Sequence, residues 1–401
     1  MTPIDRRAFL HGSAGLSISA ALATMPGLTL ARAPVSQRLV VLMLRGGMDG
    51  LAAVAPYADL NFKRIRGPFA LTPRSDGGSL FELDEFFGLH PALAPLYGAY
   101  EEGHFLPVHA VGVSPNRSHF RAQDVLERGV PDPNDVADGW LNRVLQKVAG
   151  SDPGAAVTMG RAIPKILRGP ALVGSWAPVR LPPAPADFLE AVRANYSGDA
   201  LLATALSQGL RLRAETARLL DAESEQAGKQ WNFVRVAETA GAFLAASEGP
   251  RIAVLQRGGW DTHAGQGAVG GRIGPLFTEL AQALVALRGP LQAVWDKTVV
   301  VAITEFGRTM MVNGSGGTDH GSGGAVFLYG GAVAGGKVMT DWPGLARGVS
   351  RSGADLTPTV EVWAVLKGLL RDHFGMDGNT LDEFVFPDSR NTKPLDGLLR
   401  R

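Results

Sequence analysis

The sequence predicts an α/β fold, a mainly parallel sheet sandwiched by helices, on three observations. Short apolar runs rich in β-branched residues alternate with longer stretches of helical periodicity, the pattern of strands joined by crossover helices. The first run, RLVVLML at 38–44, is apolar along nearly its whole length, as befits a strand covered on both faces. Gly-rich segments carrying Asp, Glu and His follow several runs, and in such sheets chemistry gathers beyond the carboxyl ends of the strands.

Strands are expected in order at Arg38–Leu44, His104–Val111, Ala155–Met159, Arg251–Leu255, Thr298–Ile303 and Ala325–Tyr329. Helices are expected between them at Ala92–Glu102, Phe120–Arg128, Trp140–Ala149, about 200–225, and Trp231–Ser247. One more runs over Pro275–Val294, where Leu276, Leu280, Ala283, Leu284 and Leu287 recur at helical spacing. The segment at about 183–249 is mostly helical and breaks the alternation, so it reads as a helical insertion or cap. No linker-like run isolates it, and residues 34–401 are expected to form a single domain.

Composition narrows the function. Among 401 residues, 39 are basic and 38 acidic, a formal charge of +1. That balance supplies no global field for nucleic acid or acidic lipid, and no basic stripe interleaved with aromatics supports a nucleic-acid partner. The absence of cysteine excludes a disulfide scaffold, thiolate metal sites, iron–sulfur clusters and a cysteine nucleophile. Any metal therefore falls to Asp, Glu, His or hydroxyls. Neither RGGMDG (45–50) nor GSGGTDHG (314–321) fits G-x-G-x-x-G, and no Walker pattern is present, so these loops do not support a nucleotide cofactor.

Arg6 and Arg7 precede a weakly hydrophobic stretch that is interrupted by Pro26 and Gly27 and ends in Ala31, Arg32 and Ala33. Residues 1–33 resemble a twin-arginine signal peptide. The translocation machinery is then a partner, and the destination is periplasmic or secreted. The mature chain carries a formal −1. It is expected to keep no stable membrane anchor, since no later apolar stretch reaches about 18 residues.

The polar residues that gather at strand ends define the candidate site. The run ending at Leu255 leads to Asp261 and His263, and the run ending at Ile303 leads to Glu305, Arg308, Asp319 and His320. The first run leads through Gly46 and Gly47 to Asp49. Carboxylates and imidazoles so placed have the composition of an oxygen/nitrogen metal centre for Zn²⁺ or Mn²⁺. An Asp-His pair alone in one loop is more often a capped turn than a ligand pair, but four such pieces at strand ends favour a site. Ser118 stands at the start of an expected helix, where free N–H groups favour a phosphate, and where a serine also serves as an N-cap. Arg308 or Arg121 is a candidate clamp for non-bridging oxygens, with a structural salt bridge as the plain alternative for Arg308. Glu305 is a candidate for orienting a ligand from behind.

The segments LRGGMDG (44–50), SHFRAQDVLERG (118–129), DGWLNR (138–143), GGWDTHAGQ (258–266), TEFGRT (304–309), GTDHGSGG (317–324) and PTVEVWAVLKG (358–368) together resemble a family of exported bacterial proteins, domain of unknown function 1501. That family is similar to the alkaline phosphatase/sulfatase superfamily. The resemblance implies an alkaline-phosphatase-like sandwich with two metals. It casts Asp261 and His263 as ligands of the first metal, and Asp49, Asp319 and His320 as ligands of the second. Ser118 falls in the nucleophile's place, with Ser114 as a rival. The chain departs from the superfamily in spacing Asp261 and His263 as Asp-x-His rather than Asp-x-x-x-His. Its only later histidine is His373, which reads as a core or capping residue at a helix end. In VSPNR (113–117), Val113 occupies the position that a sulfatase converts to formylglycine, which argues against that activity. The expected function is an exported metal-dependent hydrolase acting on a small anionic ester, phosphate or related. The alternative is a non-catalytic binding or scaffold protein on the same fold.

Overall fold

The computed structural model describes residues 35–73, 79–114, 116–134, 136–148, 154–178, 184–199, 202, 203, 206, 210, 232–247, 249–346 and 354–400. The expected signal peptide and nearly all of the helix expected at about 200–225 lie outside the described residues.

Eight strands make the central sheet: β1 (Arg38–Leu44), β2 (Phe105–Gly112), β3 (Ala156–Met159), β4 (Gly174–Trp176), β5 (Ile252–Arg257), β6 (Thr298–Ile303), β7 (Gly324–Tyr329) and β8 (Val360–Glu361). Their order is β8-β2-β7-β6-β1-β5-β3-β4. Strand β1 sits between parallel neighbours β5 and β6. Strand β7 runs antiparallel to β2 and β6, and the remaining pairs are parallel. The sheet is thus mixed and mostly parallel. Because β7 is reversed, its amino end lies at the edge where the other strands end, which brings the loop before it, with Asp319 and His320, to the same place as the loops after β1, β5 and β6.

The helices are α1 (Gly50–Ala53), α2 (Phe62–Arg66), α3 (His119–Arg128), α4 (Trp140–Val148), α5 (Ala186–Tyr196), α6 (Phe233–Ala245), α7 (Ile273–Leu291) and α8 (Val362–Phe374). Side chains alternate across a strand, so β1 feeds two cores. Leu39, Val41 and Met43 pack with Trp140 and Leu145 of α4 and Val365 and Leu369 of α8. Val40, Leu42 and Leu44 pack with Ala240 and Leu244 of α6 and Leu280, Leu284 and Leu287 of α7. Helix α6 was expected within an insertion or cap. It lies instead in the helical layer against α7, its Ala237, Ala240, Phe243 and Leu244 buried. The expected helix at Ala92–Glu102 divides into a 3₁₀ turn, Pro91–Leu96, and one α-turn, Tyr97–Glu101, since Pro95 offers no N–H to a regular ladder.

Two buried histidines give the fold a pH dependence. His109 Nε2 donates to the Val54 carbonyl at 3.0 Å, and its Nδ1 accepts from Ala110 N at 2.8 Å. His373, at the end of α8, donates Nε2 to the Arg38 carbonyl at 2.9 Å. Burial pushes both pKa values down to about 4, outweighing the backbone bonds that favour the proton. Between that value and the unfolded value near 6.5 only the unfolded chain takes up these protons. Stability is therefore full above about pH 6.5 and falls with acidification by about 1.4 kcal/mol per pH unit for each group, levelling near pH 4. Melting midpoints measured from pH 7.5 to 4 are expected to drop in that window, with a shallower slope in His109→Gln. An equal slope in that variant counts against the assignment.

Candidate metal centre

The site is built from five loops at one edge of the sheet. The turn after β1 sets its floor. Gly46 has φ +122°, and a Cβ there would lie 2.4 Å from Asp261 N, so only glycine lets this turn meet the loop after β5. Gly46 N also donates to Glu305 Oε1 at 2.9 Å, tying the turn to the loop after β6. A short antiparallel ribbon pairs Arg308 with His320. Phe306, buried, lies under the rings of His119 and His320, with centroids 4.9 and 4.4 Å away.

Asp261 is the centre of the group. Its Oδ1 lies 3.0 Å from His263 Nε2, 3.1 Å from His320 Nε2 and 2.8 Å from Arg308 Nη1. Its Oδ2 lies 3.3 Å from His119 Nε2. Ligand atoms of His119, Asp261 and His320 all fall within 4.8 Å of one another, a spacing that suits one metal ion. Burial works against the Asp261 charge, but hydrogen bonds from Arg308 and His320 and the Arg308 and His263 charges outweigh it. They hold its pKa down at about 2.

Each imidazole is oriented through its other nitrogen. His119 Nδ1 lies 3.0 Å from Glu305 Oε1, which also accepts from Gln123 Nε2. His263 Nδ1 lies 2.8 Å from Asp319 Oδ1, and His320 Nδ1 lies 2.7 Å from the Arg117 carbonyl. Carbonyl and carboxylate oxygens only accept, so Glu305, Asp319 and the Arg117 carbonyl on one side and Asp261 on the other compete for the ring protons, and each Nε2 is turned toward Asp261. Carboxylate–imidazole pairs of this kind fix metal-binding histidines. Burial lowers the His320 pKa further, which favours the neutral ring. Hydrogen bonds from His263 and Asn313 lower that of Asp319. With side-chain exposures of 42% and 43%, Asp261 and His263 remain open to solvent.

The structure brings Asp261, His263, Asp319 and His320 together and places Glu305 behind them. It does not bring in Asp49. That residue caps α1 and is buried, its Oδ2 paired with Arg66 Nη2 at 2.5 Å and accepting from Gln266 Nε2 at 2.7 Å, while its Oδ1 accepts from Ala52 N. Asp49 is thus half of an interior ion pair. Arg308 touches Asp261 but is 1% exposed. Its remaining donors go to the Gly46 carbonyl and to Thr318, so it offers no free fork to an ester. Arg121 pairs with the exposed Asp132 at 2.9 Å. Ser118 is the exposed N-cap of α3, and its hydroxyl makes no capping bond.

A family model described as "Protein of unknown function (DUF1501)" matches residues 114–361, well over half of the chain. The chain belongs to this family. The match takes in every residue of the His/Asp group and excludes Asp49 and Arg66. No curated protein matches this DUF1501 chain. Among solved structures, the integral membrane protein lipooligosaccharide phosphoethanolamine transferase A from Neisseria meningitidis is similar at 13% identity and a TM-score of 0.31. That likeness covers 84% of this chain, which spans 60% of the neighbour's length. In the DUF1501 chain the ligand-type residue that sequence reasoning passed over is His119. Its signal stood one position from Ser118, as an imidazole in the first turn of a helix that follows a strand.

Proposed function

We propose that this DUF1501 chain is an exported metal-dependent hydrolase acting on phosphate or related esters. The observation that carries the proposal is the set of imidazoles whose Nδ1 atoms are taken by acceptors, so that their Nε2 atoms converge on one carboxylate. His119, Asp261 and His320 would hold a divalent cation, Zn²⁺ or Mn²⁺. Such an ion supplies Lewis-acid polarisation of an ester oxygen. Glu305 and Asp319 orient the rings of His119 and His263. Ser118, beside His119 and with its hydroxyl free of a capping bond, is assigned as the nucleophile. The solvent exposure of Asp261 and His263 leaves a path for a small anionic ester.

Protein purified without chelator is expected to contain Zn or Mn and to hydrolyse phosphomonoesters or diesters. His320→Ala is expected to cut turnover by about two orders of magnitude or more, since even residues behind a ligand are worth about 10–100-fold. Ser118→Ala should abolish turnover while the metal is retained. Protein that holds no metal and hydrolyses nothing with Zn²⁺ or Mn²⁺ added would sink the proposal.

One observation favours the non-catalytic alternative. Buried arginines already neutralise Asp49 and Asp261, leaving less negative charge than a two-metal centre needs. Metal retention without turnover on any ester would select that alternative. Export by the twin-arginine route is part of the same proposal. Among the described residues no helix is long and apolar enough to cross a membrane. Replacing Arg6 and Arg7 by lysine should leave the chain in the cytoplasmic fraction, and unchanged export would remove the twin-arginine assignment.

A further inference from the structure

The nitrogens of the site crowd one another. His263 Nε2 and His320 Nε2 stand 3.0 Å apart, and both lie within 3.1 Å of Asp261 Oδ1. Two imidazole nitrogens and a carboxylate oxygen thus crowd one another, and a single cation among them can accept an electron pair from each. Arg308 answers the Asp261 charge alone, because its other donors are spent on Gly46 and Thr318. The Nε2 atoms of His119, His263 and His320 share the Asp261 carboxylate, at 3.3, 3.0 and 3.1 Å.

Charge elsewhere at the site is already committed. Asp49 pairs with Arg66 in the interior. Asp319 Oδ1 accepts from His263 Nδ1 and Asn313 Nδ2. Glu305 Oε1 accepts from His119, Gln123 and Gly46 N, and its Oε2 from Thr304. Each of these carboxylates supports a neighbour, and none stands ready to bind a second ion.

We infer that the centre takes one cation per chain, bound through Nε2 of His119, His263 and His320 and a carboxylate oxygen of Asp261, and that it selects Zn²⁺ over Mg²⁺ and Ca²⁺. This rests on the metal-centre reading above and replaces the two-metal arrangement that the superfamily resemblance implies. Three imidazole nitrogens and one oxygen suit a borderline cation in four-coordination. Mg²⁺ and Ca²⁺ require more oxygen ligands, in number and in kind. His263 thereby becomes a ligand in its own right, held in place by Asp319.

The full chain, stripped with chelator and titrated with Zn²⁺, is expected to bind one ion per chain by native mass spectrometry and calorimetry. Mg²⁺ at the same concentrations is expected to leave the heat and the mass unchanged. His263→Ala should weaken Zn²⁺ binding at least about tenfold, with His263→Gln as the substitute if that variant folds poorly. In ¹⁵N spectra of the wild type, the Nε2 signals of all three histidines should move on adding Zn²⁺, with Nδ1 protonated in the bound state. Two Zn²⁺ per chain, equal binding of Mg²⁺, or unaltered affinity in both His263 variants would overturn the inference. One Zn²⁺ without ester hydrolysis supports it and removes the hydrolase reading, whereas hydrolysis with two ions does the opposite. No bound Zn²⁺ at all overturns both.

Discussion

Asp49→Ala is expected to lower the free energy of unfolding by about 3–5 kcal/mol, because it strands the charge of a buried arginine. Arg66 has no exposed surface. Its Nη1 donates to the carbonyls of Thr309 and Met310, and Nε is buried without a partner, so Asp49 supplies its only counter-charge in these bonds. Burial alone would raise the Asp49 pKa, but the Arg66 charge and the hydrogen bonds from Arg66, Gln266 and Ala52 hold it below the ordinary value. A lowered folded pKa means that the pair stabilises the fold above the unfolded carboxylate value and that this stabilisation is lost as pH falls below it. A domain has only about 5–15 kcal/mol in hand, so Asp49→Asn, which keeps the hydrogen-bonding shape, is the fallback if the alanine variant does not accumulate. Replacing both partners by apolar residues of like volume should recover much of the loss. Urea midpoints and Zn²⁺ stoichiometry measured together separate the two roles of Asp49. An unchanged midpoint with lost metal would return it to the ligand set.

Asp261→Asn carries the other large effect, and it strikes binding and fold at once. The amide keeps the size of the carboxylate but removes the charge on which His119, His263 and His320 converge, so Zn²⁺ affinity should fall by about two orders of magnitude or more. Arg308, buried beside it, loses its carboxylate partner, and the melting midpoint of the metal-free protein should fall as well. A pKa near 2 keeps Asp261 ionised throughout the neutral range, so its stabilising contribution is complete above the ordinary carboxylate value and fades only as pH drops toward 2. Calorimetry of the stripped variant and its melting curve report the two losses independently. Wild-type affinity in Asp261→Asn would dismantle the site as described.

The residues that were legible in sequence are those whose environment is local. RLVVLML and TVVVAI read as strands because a strand buried on both faces must be apolar throughout, and the sheet places both at its centre. Asp261, His263, Asp319 and His320 stood out because glycines and strand ends surround them. What remained hidden depends on partners distant in the chain or on direction. Asp49 looked like a ligand since nothing in NFKRIR marks Arg66 as an interior residue. Arg308 read equally as an ester clamp or a structural salt bridge, since the Gly46 and Thr318 carbonyls that take its other donors leave no trace in sequence. The reversal of β7 was equally silent, because a strand has the same apolar pattern read in either direction.

The distances along the chain between the site's residues have a thermodynamic consequence. His119 and Glu305 are 186 positions apart and still share a hydrogen bond, and Arg117 and His320 are 203 apart. An unfolded chain cannot hold these groups together, so a cation bound here recognises only the completed fold. Loading and folding then form one linked equilibrium, in which free ion at a thousand times its dissociation constant adds about 4 kcal/mol to stability. With an ion in place the centre would act as a distant clasp, joining loops far apart in the chain, and the melting temperature would become a gauge of how much ion surrounds the protein.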